Sequence, residues 1–308
     1  MPGRAFRKEA PQSAVSPIAA LVYFPVLIFA WGGNYTWMKL VVGQAGPWTF
    51  NALRLTGSAV LVGCVIAAGK GARSLAPVKG ERASLALIGI LQIGLLAALI
   101  LLALRWIEAS RTVLIIYTNP IWTSLFALVL LGERITAPRL LGLCLGLAGL
   151  LALTNPWTMD WNAMTWPGIA LALAGTIAWA FASVLYRKRR WHTGLPQQLF
   201  WQLAASAALA AVCVPFLEPD LPIAATPEYV WILLWNVVGP TALAYWCWSK
   251  VLIAMSPATA SQVLLLSPLY GVLQSHIVLG EPLSAGLMVA AACIVTGALL
   301  TFWRPSRG

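Results

Sequence analysis

The chain reads as a succession of apolar runs, each about the length of a membrane crossing, separated by charges, prolines and short polar clusters. Cutting at those interruptions gives spans at 18–39, 48–69, 83–105, 110–131, 137–155, 166–187, 196–216, 229–250, 258–279 and 283–303. A hydrocarbon core roughly 30 Å thick needs about 20 residues of helix, so each run is long enough to cross. None shows the period-two alternation of a barrel strand, and backbone groups in lipid must be satisfied within their own segment. The pattern predicts an all-α integral membrane protein of ten transmembrane helices. Arg4, Arg7 and Lys8 ahead of the first run imitate a secretory signal. No small-residue cleavage site follows, so 18–39 is read as a true span.

Laid on itself at an offset of 148 residues, the chain pairs Ala30-Trp31 with Ala178-Trp179, Ser58 with Ser206, Pro120 with Pro268, Leu131-Gly132-Glu133 with Leu279-Gly280-Glu281, and Gly149 with Gly297. No gap is needed. Each copy holds five spans, an odd number, so the second must enter the membrane upside down. The predicted organisation is a cytoplasmic segment at 1–17, a five-helix repeat at 18–155, an inverted five-helix repeat at 166–303 and a cytoplasmic end at 304–308. Loop charges test the inversion. Lys70, Arg73, Lys79 and Arg82 follow the second span, whereas the matching loop after the seventh carries Glu218, Asp220 and Glu228 and no Lys or Arg.

Composition agrees with the pattern: 60% of residues are hydrophobic and 9% charged, with a mean hydropathy of +0.82. A soluble domain carries roughly 25% charge. The net charge of +11 comes from basic residues scattered between apolar runs, not from one face, so nucleic acid is not an expected partner. With the N-terminus inside, 16 of the 20 Lys and Arg fall on the cytoplasmic side. Arg105, Arg111 and Lys39 stay outside, with Glu108 and Asp160, and Arg54 lies within a span. The five cysteines form no CxxC pair and have no His nearby, so neither a disulfide nor a metal site is expected.

Pro120 and Pro268 fall near the middle of the fourth and ninth spans. Each removes an N–H and frees the carbonyl one turn earlier, at Ile116 and Leu264, to face either a cavity or a packed kink. Polar and aromatic side chains sit at compatible depth: Trp31, Asn34 and Tyr35 on span one, Gln92 on span three, Tyr117 and Asn119 on span four, and Trp179 and Ser183 on span six. Tyr245 and Trp246 on span eight and Gln262, Ser267, Tyr270 and Gln274 on span nine complete the set. Facing lipid would cost these groups free energy, so they point into the bundle, where they contact solute or bond another helix. Trp48, Trp157, Trp166 and Trp303 read as interfacial anchors. The repeat-matched Trp31 and Trp179 lie deeper and line a cavity or pack helices. Arg54 is placed to meet an anionic group, to pair within the bundle or to snorkel outward. His276 lies near the outer end of span nine, and few acidic residues lie at midplane, which leaves proton coupling and facilitated diffusion both open.

Two copies of one motif carry a resemblance. An Ala/Ser-rich start, a mid-helix proline and a Gly-Glu end run from Ala109-Ser110 through Asn119-Pro120 to Gly132-Glu133, and from Ser256-Pro257-Ala258 through Ser267-Pro268 to Gly280-Glu281. In these the chain resembles the drug/metabolite transporter superfamily, and within it the ten-helix EamA branch. Arg54 looks like a family feature too. Gln202 at its matching position departs from it, confining any role to one half. The resemblance implies export or exchange of small metabolites, amino acids among them, through a cavity between the halves.

Enzyme chemistry lacks its residues: HExxH, GxSxG and a phosphate loop are absent, and no aspartates pair within spans. The expectation is a secondary transporter without cofactor, exporting small metabolites, amino acids first, across the inner (plasma) membrane by alternating access. Its partners are a small-molecule substrate and the lipid bilayer, and monomer and homodimer are both compatible. A receptor or scaffold, or an exporter of drugs, nucleobases or sugars, is the competing reading.

Overall fold

The computed structural model describes residues 20–41, 44–103, 106–107, 109–154, 156–158, 165–218, 226–279 and 286–301. Segments 1–17 and 304–308, the loop residues Arg105, Glu108, Asp160 and Asp220, the Gly280-Glu281 pair and Trp303 lie outside the described residues. Among the described residues every regular element is helical, and the ten spans appear in order. We label them α1 (21–41), α2 (Pro47–Lys70), α3 (Arg82–Ala103), α4 (109–131), α5 (Ala137–Thr154), α6 (Trp166–Lys188), α7 (Leu195–Leu217), α8 (Pro227–Ala254), α9 (257–279) and α10 (Gly286–Thr301). The second, third, fourth, sixth, seventh and eighth meet the length and hydropathy of a membrane crossing, while α1, α5 and α10 contain shorter apolar stretches.

Five helices are irregular at mid-depth. π turns occupy Ile28–Gly32 in α1, Ile90–Leu95 in α3 and Val237–Leu243 in α8. The two prolines act as their chemistry requires. Helix α4 breaks between Ala109–Ile116 and Asn119–Leu131, just ahead of Pro120, and α9 tightens to a 3-10 turn at Leu264–Leu266, just ahead of Pro268. A proline cannot donate to the carbonyl four residues back, so the ladder is interrupted there.

Packing follows the repeat. Helices α2 and α7, α4 and α9, and α5 and α10 pair with their own mates, while the contacts of α1 with α8 and α9 are matched by those of α6 with α3 and α4. This is the arrangement of two inverted five-helix halves. The apolar pair α5 and α10 lies flush because Gly297 leaves no room for a side chain: a Cβ there would stand 2.6 Å from the Gly142 carbonyl oxygen. The Gly-Glu end of α4 also has a local cause. Gly132 takes φ 68°, a left-handed cap, and so turns Glu133 to accept from the Ser256 hydroxyl at the start of α9 and to lie 3.8 Å from Arg139.

The two halves meet differently at the two ends of the bundle, named here for the buried carboxylate at each. At one end Glu218, after α7, accepts hydrogen bonds from the backbone N–H groups of Trp48 (3.0 Å) and Thr49 (2.9 Å), capping α2. At the other, Glu81, before α3, accepts from the N–H groups of His192 (2.9 Å) and Thr193 (3.0 Å) ahead of α7. The Glu81 end is filled by Trp248, Tyr186, Leu27, Leu203 and Leu252, all fully buried. At the Glu218 end Phe50 of α2 packs on Tyr229 and Ile232 of α8.

Candidate functional site: a cavity between the inverted halves

Between the halves lies a cavity of about 130 Å³. A water needs roughly 10–15 Å³ on this measure, so the space takes about ten water-sized groups, the size of a small metabolite. Its floor is aromatic. Trp31, carried by the π turn of α1, meets Trp179 (ring centroids 5.9 Å apart), Tyr245 (5.3 Å) and Trp248 (5.9 Å), and Trp179 stacks on Trp248 at 5.1 Å. The Trp31 indole donates to the Pro240 carbonyl at 2.9 Å, which fixes its ring against the wall. From that floor the lining climbs to Asn34 and Met38 on α1 and Ile100 and Leu101 on α3. Seven residues of helix separate Trp31 from Met38, a rise of about 10 Å at 1.5 Å per residue. The cavity therefore runs from mid-depth toward the Glu218 end and stops at packed side chains on the Glu81 side.

The two broken helices supply one wall. Ile116 and Leu264, whose carbonyls the prolines release, both line the cavity, as do Tyr117, Asn119, Pro120, Ser261 and Ser267. The crossing of α4 and α9 is pinned by the Thr123 hydroxyl, 2.9 Å from the Ser261 hydroxyl and 3.0 Å from Asn119 Oδ1. Arg54 enters from α2. It is 8% exposed, and its Nε donates to Asn51 Oδ1 at 2.9 Å.

Of the residues singled out in the sequence, Trp31, Asn34, Tyr117, Asn119, Pro120, Trp179, Tyr245 and Ser267 meet around this one space. Gln92 and Ser183 do not line it. They lie directly behind the floor, where the Gln92 amide donates to the Ser183 hydroxyl (2.9 Å), that hydroxyl donates to the Trp179 carbonyl (2.9 Å), and the Tyr245 hydroxyl donates to the Gln92 carbonyl (3.3 Å). Gln262 sits toward the Glu81 end, its amide donating to the Arg139 carbonyl at 3.4 Å. Tyr270 packs on Phe29, and Pro268 is buried without reaching the cavity. The Tyr35 side chain lies outside the described residues. His276 is exposed on α9 and takes no part in the lining.

Sequence reasoning passed over Pro240 and the apolar lining at Leu96, Ala97 and Ile100. Pro240 was legible as a third mid-span proline, whereas the apolar residues look like any others on a membrane helix.

The walls are held by a joint used twice. Ser58 of α2 donates to the Val237 carbonyl at the π turn of α8 (2.8 Å), and Ser206 of α7 donates to the Gly89 carbonyl at the π turn of α3 (2.8 Å). Both pairs are related by the 148-residue offset. A π turn disturbs the regular i→i−4 ladder, and a facing hydroxyl satisfies the carbonyl at its edge.

Inverted helical halves around a largely apolar cavity with a few polar groups, reaching from mid-depth toward one end and stopped by packed side chains on the other side, define a multi-pass membrane transporter for a small molecule. The chain belongs to the EamA-like transporter family, which matches residues 18–155 and again 166–303. It is 24% identical to the uncharacterized transporter YoaV of Bacillus subtilis over 90% of this chain and 94% of that one. To a probable amino-acid metabolite efflux pump of Salmonella typhimurium it is 24% identical over 61% of this chain and 66% of that one. A crystal structure with 22% identity superposes with a TM-score of 0.78 over 95% of this chain and 97% of the other, which shows a shared fold.

Proposed function

We propose that this transporter is an exporter of small metabolites, amino acids first among them, working by alternating access at the plasma membrane with both termini cytoplasmic. The observation that carries the reading is the one-sided cavity: a solute-sized space at mid-depth whose floor is a buried aromatic cluster and whose lining extends toward the Glu218 end. With the Lys- and Arg-rich loops placed in the cytoplasm, the cavity extends toward the outer side. The opposite state then requires the packed Glu81 end to part, and the inverted repeat supplies the geometry, because each half carries the joint that the other uses. The description of the Salmonella relative supports amino-acid metabolites as the solute class. One chain furnishes every wall of the cavity, so a monomer suffices as the transport unit.

The test is flux. Reconstituted in liposomes, the protein is expected to give saturable counterflow of amino acids above labelled nucleobases and sugars, and comparison with and without a pH gradient reads out proton coupling. Folded, inserted protein that moves none of these classes would contradict export and favour a receptor or scaffold.

A further inference from the structure

We propose that Arg54 is the specificity-determining residue of the cavity and selects solutes that carry a carboxylate. This deepens the transport reading of the same cavity and names the head group that the site recognises.

Three observations converge. Arg54 lines the cavity, and no Asp or Glu does so among the described residues, so a guanidinium is the charged group of that lining. A guanidinium presents five N–H donors in a planar fork that matches a carboxylate, and Asn51, itself fully buried, holds Nε and so fixes the plane of that fork. Second, other polar atoms of the lining are unused. The Trp179 indole N–H and Asn34 Oδ1 have no hydrogen-bond partner among the described residues, and Trp179 is only 7% exposed. Buried polar atoms are normally paired, and a ligand with donors and acceptors of its own supplies the missing partners. Third, the repeat contains its own control. Gln202 occupies the position of Arg54 in the second half, buried on α7 where that helix meets Gly89 of α3. The fold accepts a neutral side chain there, so packing alone does not demand the charge at Arg54.

The rest of the lining narrows the class. Trp31, Trp179, Tyr245 and Leu96 surround the space with apolar surface, which suits a solute with a hydrocarbon body. A phosphate dianion would call for more than one cation, and a bare amine would meet a positive wall. The aromatic faces of Trp31 and Trp179 tolerate an ammonium beside the carboxylate, so a zwitterion fits as well as a simple carboxylate.

The experiment compares three probes that share one hydrocarbon body: leucine, 4-methylpentanoate and 3-methylbutylamine. Each is titrated against the purified protein in nanodiscs, with tryptophan fluorescence as the readout because Trp31 and Trp179 line the site. Leucine and 4-methylpentanoate are expected to bind about tenfold or more tightly than the amine. Arg54→Gln should bring the three probes together by weakening the two carboxylates alone, and Arg54→Lys should restore part of the preference. Equal binding of the amine to the wild-type protein, no binding of any probe, or an unchanged preference in folded Arg54→Gln would each overturn the assignment. The wild-type comparison stands even where a variant does not fold. Binding is read without flux, so a protein that binds carboxylates but moves nothing refutes transport and leaves this assignment standing, whereas flux without head-group preference does the reverse.

Discussion

Ser58 and Ser206 do the same work in the two halves, each donating to a carbonyl at a π turn of the opposite half, yet one helical turn earlier α2 carries Arg54 and α7 carries Gln202. Arg54 borders the cavity, while Gln202 is buried where α7 meets the backbone of α3. The repeat therefore conserves what joins the halves and varies what faces the space between them. The cavity is one-sided too: its lining extends toward the Glu218 end, and on the Glu81 side it stops at the packed side chains of Trp248, Tyr186 and Leu252.

The sharpest way to break this comparison is to disturb each end in turn. Trp248→Ala should cost about 3–5 kcal/mol, the range for truncating a fully buried aromatic, and deplete folded protein on thermal unfolding. Trp179→Ala, beside space already open, should instead preserve membrane abundance and lower flux about tenfold or more, because it removes part of the cavity floor. Next in size is an exchange between the mates. Gln202→Arg buries a new charge at a fully buried position of α7 and should cost several kcal/mol, whereas Arg54→Gln removes a charge and should cost less. If both variants fold equally well, the two positions are not distinguished by their surroundings.

Smaller effects sharpen the likeness of the joints. Ser58→Ala and Ser206→Ala each remove a buried donor and should cost about 1 kcal/mol apiece, by equal amounts in denaturation. A cost at one position alone would dissolve the symmetry. The smallest effect belongs to pH. Burial opposes the charge on Glu81, but the Thr193 hydroxyl, the His192 and Thr193 N–H groups and the nearby His192 outweigh it and hold the carboxyl below its usual value. A depressed carboxyl contributes stability above its unfolded value, and that contribution is lost as pH falls through its folded value. Wild type should therefore exceed Glu81→Gln in thermal stability at neutral pH by a margin that shrinks toward zero in acid. A margin that grows in acid would contradict this sign.

Most of the architecture was legible because its causes are local. Apolar runs long enough to cross, a constant repeat offset and opposed loop charges each follow from one segment or from a comparison of two, and Pro120 and Pro268 mark their own breaks. The cavity was legible in part. Polar and aromatic residues at mid-depth announce that they avoid lipid, and eight of the named residues line one space. What they do not announce is which neighbour satisfies them: Gln92 and Ser183 find each other, and Gln262 finds the Arg139 carbonyl, through helix rotations that the sequence pattern does not encode. The π turns explain much of that gap. An inserted residue per turn re-aims every side chain after it, and no composition signal precedes the turns of α1 and α3.

The central claim, that solute passes through the space between the halves, is tested most directly at Ala97, which lines it from α3. In a background with the five native cysteines replaced, Ala97→Cys is reconstituted and treated with a small maleimide while flux is followed. The account predicts that labelling stops flux and that transported solute slows the labelling. Undiminished flux through fully labelled protein would contradict it.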